Sequence, residues 1–299
     1  QVTSQLSVSR LDYWERVIRS EVWTSPQRSR GFPLNLFQSR RERPLIPWVD
    51  CCNSNGYQRE RALRAMKDGA PNSFLFAILL RRLNDWVPEV RTAARECISV
   101  VVKRTELEHV LEALWGVLPH LDTWGRLQTK DKEVIVDILG YQAIPRWLSE
   151  KIITAPIGPA PAVLRQVGRQ PAFDRFLTDI STKAVQPAVR AKAYKSQLDG
   201  YVAWIEGYQW MWIDKHWCKG RYMPVIEKRD IQVDRPFLKL LEAAATDRSA
   251  LVRRVAGNAL FIETDSLRAD VVPIAKMLAS DPSPSVSERG KFALKRLND

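Results

Sequence analysis

The sequence predicts an all-α chain built from repeated helical hairpins, and three observations carry that prediction. A spaced motif recurs, prolines stand where its helices would begin, and a second amphipathic segment precedes the motif. The clearest copy is DWVPEVRTAARECI from Asp85, where Val90, Arg91, Ala94, Cys97 and Ile98 follow at fixed offsets. DRSALVRRVAGNAL from Asp247 reproduces those offsets with Val252, Arg253, Ala256, Ala259 and Leu260. DPSPSVSERGKFAL from Asp281 supplies Val286, Gly290, Ala293 and Leu294, with Ser287 in place of the arginine. Two fainter copies open at Ala184, with Val189, Arg190 and Ala193, and at Asn53, with Arg59, Ala62, Ala65 and Met66.

Steps of four, three and one place these side chains in a single stripe along an α-helix, and small residues in the stripe let helices approach closely. The Asp or Asn ahead of each stripe stands where a helix needs a cap. Pro88, Pro187 and Pro284 fall in or near the first turn, where a missing N–H costs nothing. Val90, Ala94 and Ile98 are therefore expected to be buried, as are Val252, Ala256 and Leu260. Asn53 and Asp85 lie 32 residues apart, and Asp247 and Asp281 lie 34 apart. The 99 residues from Asp85 to Ala184 leave room for two further units.

In chain order, residues 1–50 read as one helix, RLDYWERVIRSEVW, and then a connector rich in Pro and Arg. Arg28, Arg30, Arg40, Arg41 and Arg43 suit a phosphate-binding arm, whereas Phe32, Leu36, Phe37, Leu45, Ile46 and Trp48 suit a cap docked on the first repeat. Residues 51–198 hold repeats, with further helices expected in LEHVLEALWGVL, KEVIVDIL, AIPRWLSEKI and AFDRFLTDI. Residues 199–235 are an aromatic and basic insertion. Residues 236–299 return to the repeat, with stripes at Phe237, Leu240, Leu241 and Ala244 and at Leu267, Val271, Ile274, Ala275 and Leu278.

These residues resemble HEAT repeats, including the subgroup called HEAT-like or phycocyanobilin-lyase-type repeats. The family's D-x-x-x-x-V-R is carried by Asp85, Val90 and Arg91 and by Asp247, Val252 and Arg253, and Pro273 matches a proline frequent in the family's first helix. The motif is absent from the first 50 residues or so and from 199–235. The resemblance implies a right-handed α-solenoid. It also implies that Arg91, Arg190 and Arg253 bond within and between neighbouring turns; the competing reading makes them a basic stripe for phosphates.

The insertion carries the candidate binding residues: Trp210, Trp212 and Trp217 with Lys215, His216, Lys219 and Arg221. Rings interleaved with cations can stack bases and hold phosphates, or can anchor a long loop against a core. Gln209, Met211 and Ile213 alternate with Trp210, Trp212 and Asp214, the pattern of a strand or extended segment, and IEKRDIQV, residues 226–233, is its expected hairpin partner.

The remaining composition narrows the function. With 299 residues, 45% hydrophobic and 27% charged, the chain can bury one long core or two ordinary ones. A formal charge of +12 makes nucleic acid, anionic lipid or an acidic protein surface the natural partners. No apolar run approaches the roughly 18 residues of a membrane helix, and QVTSQLSVSR has no signal pattern, so no membrane insertion and a cytoplasmic location are expected. Cys51, Cys52, Cys97 and Cys218 lack C-x-x-C spacing, so reduced thiols, no metal and no cofactor are expected. No nucleotide-binding or hydrolase motif occurs. The expected function is a noncatalytic scaffold that binds a protein partner, its oligomeric state unread. The alternative is nucleic-acid binding, with base excision in DNA repair as its enzymatic form: the chain is similar to HEAT-like alkylpurine DNA glycosylases in size class, charge and tryptophan use, a likeness of architecture that assigns no catalytic residue here.

Overall fold

The computed structural model describes residues 2–21, 46–141, 143–260 and 268–298. Arg28, Arg30, Phe32, Leu36, Phe37, Arg40, Arg41, Arg43, Leu45 and Leu267 lie outside them, as does the side chain of Ile46. The chain divides into two compact units, Gln1–Ile138 and Leu139–Asp299. No described helix is long and apolar enough to cross a membrane.

The first unit holds α1 (Leu11–Arg19), α2 (Ile46–Asp50), α3 (Gly56–Ala65), α4 (Ser73–Arg81), α5 (Pro88–Val101), α6 (Leu107–Val117) and most of α7 (Thr129–Leu139). The α4 sequence SFLFAILLR is apolar all round, and every residue from Phe74 to Leu80 is buried. It is the central helix, and a helix of this kind must be covered on all sides. Its start is fixed by Asn72, whose side chain accepts the Leu75 N–H at 3.0 Å. Alternate helices stack: α3 lies on α5, and α4 on α6. That two-layer pattern is the one a helical-hairpin repeat requires, because no single hairpin can bury its own apolar face.

The second unit holds α8 (Ile144–Thr154), α9 (Ala160–Val167), α10 (Leu177–Lys183), α11 (Pro187–Asp199), α12 (Phe237–Ala245), α13 (Ala250–Ala259), α14 (Arg268–Ala279) and α15 (Pro284–Asn298). Here α11 packs on α13 and α13 on α15, while α12 packs on α14. Pro88, Pro187 and Pro284 each occupy the first helical position, as expected, and Pro273 lies inside α14. Residues Ala172–Phe176 of the helix expected near Ala172 form a 3-10 turn, and only from Leu177 does an α-helix run.

The predicted stripes are the core. Val90, Ala94, Ile98, Val252 and Ala256 are fully buried, and Leu260 nearly so. At the equivalent offset of the Asp281 copy stands Gly290. A Cβ there would sit 2.2 Å from the Ala279 backbone nitrogen, so the missing side chain is what lets α15 lie against the end of α14. In the Asn53 copy Ala65 is exposed and has left the stripe, while Arg59, Ala62 and Met66 remain buried.

The arginines of the motif point inward and build a repeated clamp. Arg59 puts Nε and Nη2 on the two carboxylate oxygens of Asp85 at 2.8 and 2.7 Å, and its Nη1 on the carbonyl of Asn53 at 2.8 Å. Arg190 repeats this on Asp247 at 2.8 and 2.9 Å with Nη1 on the Ala184 carbonyl. Arg253 repeats it on Asp281 at 2.6 and 3.0 Å with Nη1 on the Asp247 carbonyl. Each Asp also accepts the backbone N–H two residues on, from Val87, Ser249 and Ser283. One carboxylate thus ties the preceding motif helix to the turn that starts the next. Arg91 donates to the Asp85 carbonyl at 2.8 Å but lies 3.9 Å from its nearest carboxylate, Asp131, which Arg95 engages instead. The phosphate-stripe reading of Arg91, Arg190 and Arg253 is therefore set aside: Arg91 and Arg190 are buried, and the forks of Arg190 and Arg253 are occupied.

The expectation of an all-α chain is corrected by one two-stranded antiparallel sheet, β1 (Tyr201–Asp214) and β2 (Lys219–Asp230). It sits between α11 and α12, inside a clamp interval. Arg190 and Asp247 are separated by 57 positions, against 26 and 28 for the other two forks. The excess matches the length of the hairpin, so the repeat closes around it undisturbed.

Candidate functional site: the aromatic hairpin

The base of the hairpin is fixed to its own unit by charge-assisted bonds. Arg229 on β2 forks onto Asp174 at 2.8 and 2.7 Å and also reaches the Gly168 carbonyl at 2.9 Å. Arg169 bonds Glu206 at 2.9 Å and the Ile205 carbonyl at 3.1 Å, with its guanidinium 5.2 Å from the centre of the Trp204 ring. Val202 is buried, and Ile231 N–H meets the Gly200 carbonyl at 3.0 Å to close the base. Paired, two-point arginine bonds of this kind define orientation as well as position.

Beyond the register shift between Ile205 and Gly207 the ribbon leaves the core, and its side chains become exposed on both faces. Successive residues of a strand alternate between faces, and directly paired residues share one. Trp210 pairs with Tyr222 and Trp212 with Gly220, which places the rings of Tyr208, Trp210, Trp212 and Tyr222 on one face. Met211, opposite Arg221, takes the other, and Ile213 stands unpaired at the register shift between Trp212 and Asp214. Trp210 meets Trp212 and Tyr222 edge-on, with ring centres 5.6 and 5.2 Å apart. Gly220 makes this possible, because a Cβ at that position would lie 2.4 Å from the Trp210 ring.

The turn is held by Asp214, whose carboxylate accepts the N–H groups of His216 at 2.9 Å and Trp217 at 3.2 Å. Cys218 adopts a positive φ of 48° to close it. The His216 and Trp217 rings meet edge-on, with centres 5.3 Å apart. Trp210, Trp212 and Trp217 are 41%, 50% and 68% exposed, so none of the three serves to seal a core. Lys215, Lys219 and Arg221 are exposed and form no ion pair among the described residues.

All seven predicted residues thus lie on one projecting element, but not on one face: Arg221 stands behind Trp210 and Trp212. Tyr208 and Tyr222 also belong to the aromatic face, a placement that the strand register reveals and their residue types alone do not. The second strand begins at Lys219, not at Ile226, and residues 231–233 lie beyond its end, which corrects the expected partner segment. The ladder is set by pairing across the turn, and KGRYMP shows no alternation of its own that would announce a strand.

The site offers contact area and cations. Among the described residues no group of three or more His, Cys, Asp or Glu is placed to hold a metal ion. Cys51, Cys52 and Cys97 are buried free thiols and Cys218 an exposed one; burial pushes Cys52 and Cys97 up to about 12.

No family model matches the chain, and no curated protein matches it. Among solved structures it is similar to a designed armadillo repeat protein, with 14% identity, coverage of 85% of this chain and 99% of that one, and a TM-score of 0.26. A likeness of that size carries no argument, and the helical-repeat architecture rests on the chain's own helices and clamps.

Proposed function

We propose that this chain is a noncatalytic HEAT-like scaffold, wound as a right-handed solenoid, that binds a protein partner through the tip of its aromatic hairpin. The observation that supports the reading is the exposure of Trp210, Trp212, Trp217 and Tyr222 at the end of an element whose base is clamped by Arg229 and Arg169. Trp and Tyr are the side chains that most often dominate protein interfaces, since they carry large area at low entropic cost. Apolar Met211, exposed on the reverse face, favours a partner that grips the ribbon from both sides. A base-stacking platform uses one face only. The inward clamps of Arg190 and Arg253 also remove the basic stripe that a phosphate-tracking groove would need.

The alternative, single-stranded nucleic acid stacked on the rings beside Lys215 and Lys219, is separated by salt. Phosphate contacts make affinity fall steeply with ionic strength, whereas aromatic burial does not. A photoreactive residue at position 209, exposed on the same ribbon and outside the ring cluster, identifies the partner by crosslinking. The purified partner and a single-stranded oligonucleotide are then titrated at low and high salt. Shallow salt dependence with the protein partner supports the proposal, and tight, steeply salt-dependent oligonucleotide binding replaces it.

A further inference from the structure

The first unit contains a cationic cleft that the sequence did not reveal. It consists of two adjoining hollows of about 530 and 500 Å³ that share Asp12, Arg16, Arg81, Asn84 and Arg126 in their walls. Arginines outnumber carboxylates seven to three along the combined lining. The three carboxylates are already taken. Asp12 pairs with Arg81; Glu15 pairs with Arg19, Arg81 and Arg82 at 2.8, 2.9 and 2.5 Å; and Asp85 pairs with Arg59 and Arg82.

What remains is unmatched positive charge. Arg10, Arg16 and Arg126 form no ion pair among the described residues, and Arg16 has only a 3.3 Å bond to the Asp12 carbonyl. Asn84 accepts the Arg126 backbone N–H at 2.9 Å through its side-chain oxygen, which leaves its amide nitrogen as a further donor. Arg82 is 3% exposed and lines the inner hollow, and its buried Nε–H has no acceptor. Beside these donors stands the Trp86 ring, 67% exposed, with the Arg59 guanidinium 5.9 Å from its centre.

We infer that this cleft binds a small phosphate-bearing ligand of nucleotide size. Guanidinium forks match phosphate oxygens in planar, two-point geometry, which a lysine cluster would not provide. Hollows of several hundred Å³ suit small molecules. An exposed indole at the rim supplies a stacking face for a ring. The inference rests on no part of the hairpin reading.

The test measures retention of pyrophosphate and of ADP by the full chain at about 0.15 M salt, by calorimetry. Arg16→Gln and Arg126→Gln each remove a cation that holds no carboxylate, so neither leaves a buried charge behind. Arg254→Gln, on an exposed residue of α13 in the other unit, removes the same charge elsewhere. Binding of either probe, weakened about tenfold by each of the first two substitutions and unchanged by the third, is expected. The inference is overturned by no binding of either probe at about 1 mM, by equal weakening from Arg254→Gln, or by binding of a single-stranded oligonucleotide alone.

Discussion

Arg253 closes a two-point fork on Asp281 while its third nitrogen, Nη1, holds the carbonyl of Asp247, the residue whose own carboxylate receives Arg190. One arginine therefore reads the turn that starts its own helix and the turn that starts the next motif helix. Through Arg190 and Arg253 the turns at Ala184, Asp247 and Asp281 are joined in series.

Cutting the link should be costly where it is driest. The Arg190 and Asp247 side chains are 2% and 9% exposed. Asp247→Ala leaves a guanidinium buried without its anion, and a loss of about 3–5 kcal/mol is expected from the denaturant midpoint. Asp281→Ala, facing a more exposed Arg253, should cost less. No loss from either substitution would show that the clamps do not carry stability, and equal losses would show that exposure does not set their strength.

Acid should act through the same carboxylates. Burial works to raise Asp85 and Asp247, but the bonds from Arg59 and Arg190, with the nearby arginine charges, outweigh it and hold both below the ordinary value of 3.8. Asp281 is lowered chiefly by its bond to Arg253. A depressed carboxylate contributes stability that is complete above its unfolded value and disappears as pH falls through its folded one. The clamp contribution should be level from neutrality down to about pH 4–5 and decline below 3.8. Asp281→Asn should flatten that acid limb in pH-dependent unfolding, and an unchanged limb would contradict the assignment.

Ala256 tests the stripe itself. It is fully buried between α13 and its neighbours, so Ala256→Asp places an unpaired carboxylate there and should lower stability by roughly 3 kcal/mol or more. An unchanged midpoint would mean that the helix presents another face.

The repeats were legible because their signal is local: the offsets from Asp85 to Ile98 and from Asp247 to Leu260 lie within one turn and one helix. Arg59 was harder to read, since an Asn stands where its own copy should open with Asp, yet its fork reaches Asp85 of the next copy. The hairpin's presence is legible in the alternation around Trp210, but its extent is not. Register depends on pairing between residues such as Trp210 and Tyr222, and Pro224 and the cations of KGRYMP mask the strand. The arginine cleft gave no sequence signal at all, because Arg10, Arg16 and Arg126 meet only after α1 has packed on α4.

The hairpin is the central claim, and Trp212→Ala tests it most directly. Trp212 is half exposed and touches no core, so its removal should leave the unfolding midpoint within about 0.5 kcal/mol of wild type. Affinity for the crosslinked protein partner should nevertheless fall by about 2 kcal/mol or more, roughly thirtyfold, with shallow salt dependence in the wild type. An affinity unchanged by Trp212→Ala would contradict the account.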